Sequence, residues 1–494
     1  LEKKIDLQRE KPTCNCGVFG ITNCNDAAIK TYFGLHALQH RGQEATGIIS
    51  RLTISNKTKF KISKNFGLVS EVFSSEEELT GNLAGNTAIG HNRYSTSGSS
   101  TIVKNIQPFS VNYRMGNLAI AHNGNLTNAV EIREELVEEG AIFQTTSDTE
   151  VILHLIARSK LNDQIEQVIE ALNKVEGSFS LVIMTDNKLI GARDPYGFRP
   201  LVIGKIDSGW ILTSETVALD INKAEYIRDV EPGEVVVIEN DTKDVKDIKS
   251  YRLGKSVIPK HCIFEFVYFS RPDSKIFGSN VDKIRRKLGK NLALFHPVYP
   301  ENDEKVIVIS VPDSSNTAAI GYQNQLSKMG ISSKLEIGLI RSHYIGRTFI
   351  LPGQAKRELG VRIKFNIVKG VLEGKTIVLV DDSIVRGTTS KQLVSLIREA
   401  NPKAIHIRIS SPPIFHPCFY GMDFPSEEEL LANKFNGNIE EMRKYLGADS
   451  LEYLTEDELL KSMVEHEPEH FCTACFTGNY PVKVKNKLNK TYLD

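Results

Sequence analysis

An uninterrupted apolar run, KTIVLV at 375–380, passes straight into DDSIVRGTTS and then into a helical stretch reaching about Ala400. A strand without polar alternation must be covered on both faces, and a polar loop leading into a helix returns the chain over one of them. KVIVISV at 305–311 repeats the arrangement, followed by PDSSNT and a helix over about 317–329, and AIHIRIS at 404–410 supplies a third strand. These runs predict an α/β domain with a parallel sheet in the second half. Ligands of open parallel sheets lie beyond the carboxyl ends of the strands, which is where Asp381 and Asp382 stand. Two adjacent carboxylates there suit a vicinal diol or a magnesium-bound ligand. The turn N–H groups, the hydroxyls of Ser383, Thr388 and Thr389, and the helix start suit a monophosphate. A diol at one end and a phosphate at the other describe a ribose 5-phosphate. GVLEGKT at 370–376 imitates a phosphate-binding P-loop, but it has one residue too few between its glycines and precedes a strand instead of following one.

From Cys16 to about residue 240 the texture differs. Short β-rich runs (GVFGI at 17–21, TGIIS at 46–50, TAIGH at 87–91, LAIAHNG at 118–124, FSLVIM at 179–184, EVVVIEN at 234–240) alternate with Gly- and Asn-rich turns. Two helices are predicted among them, over about 126–138 and 148–159, the second capped by Ser147 with Glu150 at the reciprocal position. Strands and helices without strict alternation suggest a layered α+β domain, and the polar stretch at 241–256 is the natural linker. A length of 494 residues suits two or more domains. Lys+Arg and Asp+Glu balance at 61 each, which argues against a nucleic-acid partner, and no run approaches the roughly 18 to 20 apolar residues of a membrane span. The chain opens at Leu1 instead of Met, so an upstream segment, with any targeting information, is expected to be missing; residues 1–15 are charged and polar, without a signal-peptide core.

Seven unevenly spaced cysteines do not make a secreted disulfide scaffold. Cys14 and Cys24 have no patterned context, and a lone strand cysteine is usually a small hydrophobe. Cys16 stands apart because of what accompanies it: His40-Arg41-Gly42-Gln43-Glu44, His91 to Thr96, His122-Asn123-Gly124-Asn125, and Ser147-Asp148-Thr149-Glu150 each set polar groups at a strand or helix end. Singly, His91 and His122 suit satisfied core histidines; together with Cys16 the set reads as a site. Near the C-terminus Cys472-Thr-Ala-Cys475 forms a CxxC pair, with Cys262 and Cys418 as distant singles. Their spacing is compatible with a four-cysteine zinc or iron–sulfur site, and a redox CxxC is the rival, although its strand-to-helix setting is missing.

VDDSIVRGTT resembles the phosphoribosyl pyrophosphate motif of type I phosphoribosyltransferases. VPDSS at 311–315 resembles their pyrophosphate loop, and YIGRTFI at 344–350 the flexible loop that closes over substrate. The resemblance implies substrate contacts from Asp381, Asp382, Ser383, Arg386, Gly387, Thr388, Thr389 and Arg347, with magnesium (Mg2+) at Ser314, Asp381 and Asp382; Arg341 and Lys375 are weaker candidates. The first half resembles the glutaminase domain of class II glutamine amidotransferases, which are N-terminal-nucleophile hydrolases with an αββα sandwich. It implies that Cys16, freed by removal of residues 1–15, is the nucleophile and its α-amine the base. Asn123 and Gly124 would form the oxyanion hole, Arg93 and Asp148 would clamp glutamine, and His91, Thr96 and Arg41 would support the pocket.

Joined, the halves resemble the amidophosphoribosyltransferase family from Cys16 to about Tyr480, with a leader at 1–15, a glutaminase at 16–250, a transferase at 251–480 and a tail at 481–494. The resemblance implies passage of ammonia from glutamine through an internal channel to C1 of phosphoribosyl pyrophosphate, the first committed step of purine synthesis. It also implies purine nucleotides as inhibitors and a homotetramer or homodimer. Cys262, Cys418, Cys472 and Cys475 match residue by residue the [4Fe–4S] ligands of the branch made with a propeptide. Sugar-isomerising and asparagine-forming amidotransferases are rivals that lack the loop at 377–389, and a catalytically silent regulatory or scaffold protein is the remaining alternative. A cytoplasmic location is expected, with the plastid as the alternative.

Overall fold

The computed structural model describes residues 16–54, 57–94, 102–254, 257–301, 304–342 and 364–484. Among these the first half forms two antiparallel sheets lying face to face. In one, of seven strands, Gly17–Thr22 lies between Thr87–Arg93 and Gly209–Thr213. In the other, of six, Gly116–Leu126 pairs with Gly177–Thr185. Side chains alternate across each strand. Val18, Ile49 and Ile89 therefore meet Ala119, Ala121, Val182 and Met184 between the sheets. Phe19 and Ile48 turn outward to Leu35 on the helix Ala27–Ala37. On the far side Ile120, Leu181 and Ile183 lie beneath Ala129–Glu138, Thr149–Arg158 and Gln164–Leu172. Each buried Val, Ile or Leu is worth about 1.5–3 kcal/mol, and two-sided coverage of the strands fixes the αββα order of layers.

The six strand runs expected in this half all fall on observed strands, but helices are more numerous than the two expected. Ala27–Ala37 escapes periodicity because its buried face is mostly small: Ala27, Ala28, Thr31 and Gly34. The helix expected from 126 begins at Ala129, since the strand before it runs on to Leu126. The reciprocal Ser147–Glu150 cap does not form. Asp148 is already helical and its carboxylate accepts from Leu126 N–H at 2.9 Å. Glu150 instead accepts from the Gln144 and Thr145 N–H groups at 2.8 and 2.7 Å, tying down the incoming loop. The segment expected as a linker carries an edge strand, Lys249–Arg252, antiparallel to 234–237, and its exposed charges suit a sheet edge.

The second half holds a five-stranded parallel sheet, in the order Ser333–Leu335, Val306–Ser310, Thr376–Asp381, Ala404–Ile409, Ser450–Tyr453. Val281–Phe295 and Asn316–Lys328 cover one face with Leu288, Leu292, Tyr322 and Leu326. Thr388–Arg398 covers the other with Leu393, Val394 and Ile397. Among the described residues no helix is long and apolar enough to cross a membrane.

Candidate active sites

The pairing of Gly17–Thr22 with Thr87–Arg93 sets Val18 opposite His91 and Gly17 opposite Asn92, so the Cys16 end of one strand meets the Arg93 end of its neighbour. Cys16 is buried, with Sγ 3.5 Å from the Tyr94 carbonyl oxygen. Burial pushes its thiol up to about 11, opposed by the Tyr94 hydrogen bond and Arg93 and reinforced by Asp148 and Glu44. Arg93 and Asp148 thus share the electrostatic surroundings of the thiol. His91 Nε2 lies 3.0 Å from the His122 carbonyl, and burial lowers its pKa to about 3, which keeps the ring neutral. Asn123 is fully buried, and neither its Oδ1 nor its Nδ2 has a partner among the described residues. A buried polar group left unsatisfied costs about 1–3 kcal/mol, so an amide with both ends open requires a reason. Beside it a Cβ on Gly124 would stand 2.1 Å from the Ser178 carbonyl oxygen, which only glycine tolerates. Thr96 lies outside the described residues.

Arg41 is placed differently from the pocket role expected of it. Its guanidinium is sealed from solvent and bonded to Glu215, to Glu265 and, at 3.1 Å, to Ser270 Oγ. Glu265 also accepts from Arg199 Nη1 at 3.3 Å, and Glu215 from Ser274 Oγ at 2.6 Å. These groups join the two halves. Glu215, Glu265, Arg199 and Arg285 carried no signal in the sequence, because isolated charged residues look like surface until the fold seals them in.

In the second half Asp381 ends its strand, and Asp381, Asp382 and Ser383 are all buried. Ser314 Oγ donates to Asp382 Oδ2, Ser315 Oγ to Asp381 Oδ1 at 2.9 Å, and Ser383 Oγ to Asp382 Oδ1 at 2.7 Å. The two loops that were expected to share a ligand thus meet across the carboxylates. Gly387, at φ +80, is the N-cap of Thr388–Arg398, so the first-turn N–H groups receive no side-chain cap. Arg386 pairs with Glu429, its Nε and Nη2 2.9 and 2.6 Å from Oε2. Arg285 reaches the Ser314 carbonyl from the helix behind, at 3.4 Å. Arg341 Nη1 lies 3.2 Å from Asp313 Oδ2, beside the 311–315 loop. Lys375 precedes the strand and so sits at the opposite end from Asp381. Arg347 and the rest of 344–350 lie outside the described residues.

Cys262, Cys418 and the Cys472–Cys475 pair, far apart in sequence, converge. Cys262 and Cys472 are partners in a short parallel pair, and the Cys475 carbonyl accepts from Phe415 and His416 N–H groups at 3.1 Å. Tyr420 N–H donates to Cys418 Sγ at 3.3 Å. Burial raises the Cys262 thiol to about 11, with Arg199 opposing and Cys418 adding, and burial with the charges of the neighbouring cysteines raises Cys475 as well. Among the described residues, however, no group of three or more His, Cys, Asp or Glu is gathered as a single metal ion requires.

A family described as "Glutamine amidotransferase domain" matches residues 91–220. Amidophosphoribosyltransferase 2, chloroplastic, of Arabidopsis thaliana is 48% identical over 475 residues, covering 96% of this chain and 80% of the relative. The chain belongs to the amidophosphoribosyltransferase family. The Bacillus subtilis amidophosphoribosyltransferase is 45% identical, over 95% of this chain and 94% of its own length. A solved glutamine phosphoribosylpyrophosphate amidotransferase from B. subtilis, complexed with ADP and GMP, superposes with a TM-score of 0.87 at 44% identity, covering 97% of this chain and all of that one. A structure described as the allosteric regulatory enzyme of purine biosynthesis gives 0.86, also at 44% identity, covering 96% of this chain and 97% of that one. In an amidophosphoribosyltransferase of this build the first half is a glutamine amidotransferase domain of the N-terminal-nucleophile type, and the parallel sheet is the phosphoribosyltransferase domain.

Proposed function

We propose that the chain aminates 5-phosphoribosyl 1-pyrophosphate with ammonia from glutamine, yielding 5-phosphoribosylamine, pyrophosphate and glutamate as the first committed step of purine synthesis. What supports this reading is that one chain of this family holds a buried Cys16, a buried Asn123 amide without a partner among the described residues, and a carboxylate-and-helix-start loop at 381–389.

At the first site the Cys16 thiolate attacks the amide carbon of glutamine, ammonia leaves, and water hydrolyses the resulting thioester to glutamate. A peptide nitrogen at Cys16 is no base, whereas an α-amine titrating near neutrality is, so removal of residues 1–15 creates the catalyst. Asn123 Nδ2 and the Gly124 N–H stabilise the tetrahedral oxyanion; the unpartnered amide of Asn123 supports this role. Arg93 and Asp148 hold the carboxylate and amine of glutamine, with neutral His91 and Thr96 supporting the pocket. Arg41 acts at one remove, by holding its turn to Glu215 and Glu265.

Ammonia reaches the second site inside the protein, where it stays unprotonated, and displaces pyrophosphate from C1 of the ribose. Asp381 and Asp382 bind the ribose hydroxyls, while Ser383, Gly387, Thr388 and Thr389 cradle the 5-phosphate. Arg386 stands beside that cradle, and Arg347 neutralises leaving-group charge. Ser314, Asp381 and Asp382 form an all-oxygen donor set, which fits magnesium; bound with substrate, it supplies charge compensation for the departing pyrophosphate. Cys262, Cys418, Cys472 and Cys475 are an all-thiol donor set close enough to perturb one another, which fits a [4Fe–4S] cluster of the propeptide-bearing branch. Such a cluster would cross-link the segments around those residues.

Purine nucleotides as inhibitors accord with the solved relative that carries ADP and GMP, and a homotetramer or homodimer belongs to the same reading. Plastid residence is favoured over cytoplasmic by the chloroplastic relatives of Arabidopsis, at 48% and 49% identity. A second reading, both folds retained without turnover, has one observation in its favour. With a peptide on its nitrogen Cys16 is a buried thiol titrating near 11, and not a nucleophile at neutral pH.

Pyrophosphate release from magnesium–phosphoribosyl pyrophosphate decides between them, measured on protein purified without oxygen and supplied with no donor, ammonia at alkaline pH, or glutamine. Release with both donors is the expected result for a chain beginning at Cys16. Release with ammonia alone marks an unprocessed leader, and none from folded protein leaves the silent reading standing.

A further inference from the structure

Gly421, in the second half, lies directly against Gly124. Its φ is +96, and a Cβ there would stand 3.1 Å from the Gly124 carbonyl carbon and 3.3 Å from its Cα and oxygen. One residue further along the same strand, Asn125 Nδ2 donates to the Phe419 carbonyl at 3.1 Å, across 294 positions of sequence. Between these contacts the Tyr420 carbonyl accepts from Arg199 Nε and Nη2 at 3.1 and 2.8 Å, and Arg199 is sealed from solvent. Residues 419, 420 and 421 therefore each engage the first half, two of them on the strand that carries Asn123 and Gly124. That strand has little slack, since Gly124 is also hard against Ser178.

We propose that residues 419–421 are a positioning element for glutamine hydrolysis: Gly421 and the Phe419 carbonyl fix the Gly124 peptide and its neighbours, so the oxyanion hole of one half is set by a loop of the other. This rests on the reading of Asn123 and Gly124 as the oxyanion pair. Gly421 is suited to the task because any side chain there would push its strain onto the Gly124 backbone, there being no flexible side chain in between to yield. A displacement of about 1 Å of a catalytic dipole is enough to cost on the order of 100-fold in rate.

The test compares Gly421→Ala and Asn125→Ala, singly and together, in protein whose first residue is Cys16. Glutamate release from glutamine in Gly421→Ala should lose kcat by roughly 10- to 100-fold with KM for glutamine nearly unchanged. Asn125→Ala should act in the same direction, and the double variant should lose no more than Gly421→Ala alone, because both contacts serve the one placement of the 419–421 loop against the strand. Ammonia-dependent pyrophosphate release should stay at the parent level. Parallel loss of the glutamine and ammonia activities, a change in KM alone, or independent multiplication of the two effects would overturn the proposal. If the parent itself is inactive with ammonia, the functional reading has failed and amide exchange decides: faster exchange confined to 116–126 in Gly421→Ala upholds the positioning contact, and unchanged exchange there overturns it.

Discussion

Arg41 Nη2 lies 2.6 Å from Glu265 Oε2 with both side chains sealed from solvent, although 224 residues separate them in sequence. Arg41 belongs to the turn beside the first site, while Glu265 accepts from Ser270 Oγ, and the Ser270 carbonyl in turn accepts from Arg285 at 2.8 Å. Arg285 touches the Ser314 carbonyl, and Ser314 Oγ donates to Asp382. The ion pair is thus the buried seam between the two halves.

Removing one charge from that seam leaves its partners uncompensated. Glu265→Gln leaves Arg41 with Glu215 as its remaining carboxylate partner and takes from Arg199 the carboxylate it faces, and breaking a buried pair from one side costs about 3–5 kcal/mol. Calorimetry should show a melting temperature lower by roughly 10 °C. An unchanged melting curve would mean that the seam contributes nothing to stability.

Acid should open the same seam. Burial alone would raise Glu215, but Arg41 and His40 more than reverse it and hold its carboxyl well below the ordinary range. Glu265, buried against Arg41 and Arg199, is depressed in the same way. A carboxylate depressed in the folded state contributes stability that is complete above the unfolded value near 4.5 and fades as pH falls through the folded value. Asp194 runs the other way: burial raises it to about 6 despite Arg193, so its contribution is full below 3.8 and lost as pH rises through about 6. The melting temperature should therefore fall steeply only below about pH 4.5. Glu215→Gln should flatten that acid limb; the parent slope persisting in this variant would assign the loss elsewhere.

The sequence was most legible where one-dimensional pattern and three-dimensional role coincide. KTIVLV could only be a doubly covered strand, and Asp381 and Asp382 had to stand at its exit, as they do. Cys16, Arg93 and Asp148 likewise stand at strand and helix ends inside an apolar sandwich, whereas Asn123 lies within a strand that runs on to Leu126. For Arg41 the resemblance implied a supporting role at the pocket but not its ion pairs, since Glu215 and Glu265 become neighbours only after both halves have folded. The helix Ala27–Ala37 was hidden by its small buried face, and the Glu150 contacts by a loop that reaches back to 144 and 145. Gly421 gave no sign of its contact with Gly124, since close approach of two backbones leaves no mark on spacing.

Cys16 offers a test of processing that needs no substrate. With a peptide on its nitrogen the folded chain holds the thiol protonated until about pH 11. Alkylation by iodoacetamide at pH 7 should then be slow, rising with pH toward that value. Freed as a terminus, the same thiol has an amine within reach, and its alkylation should plateau at a lower pH. Peptide mapping of Cys16 before and after removal of residues 1–15 checks this, and identical pH profiles would deny the α-amine its role as base.

The two sites should fail independently when each loses its own chemistry. Asn123→Ala removes a buried amide whose atoms meet no partner among the described residues, so it sacrifices no visible hydrogen bond and the fold should survive. Losing one oxyanion donor costs on the order of 10²–10³ in kcat, so glutamine-dependent product should fall by that factor while ammonia-dependent pyrophosphate release continues. Asp382→Asn does the converse. It takes the charge from a carboxylate that accepts from Ser314 and Ser383, and a lost charged hydrogen bond of about 1.5–3 kcal/mol corresponds to roughly a 10- to 100-fold rise in KM for phosphoribosyl pyrophosphate. Both donors should be affected equally, because ammonia and glutamine converge on the same acceptor. If Asn123→Ala lowers ammonia-dependent release as well, the amide serves the whole fold and not the oxyanion; if Asp382→Asn spares the ammonia reaction, the diol is held elsewhere than at the end of the strand Thr376–Asp381.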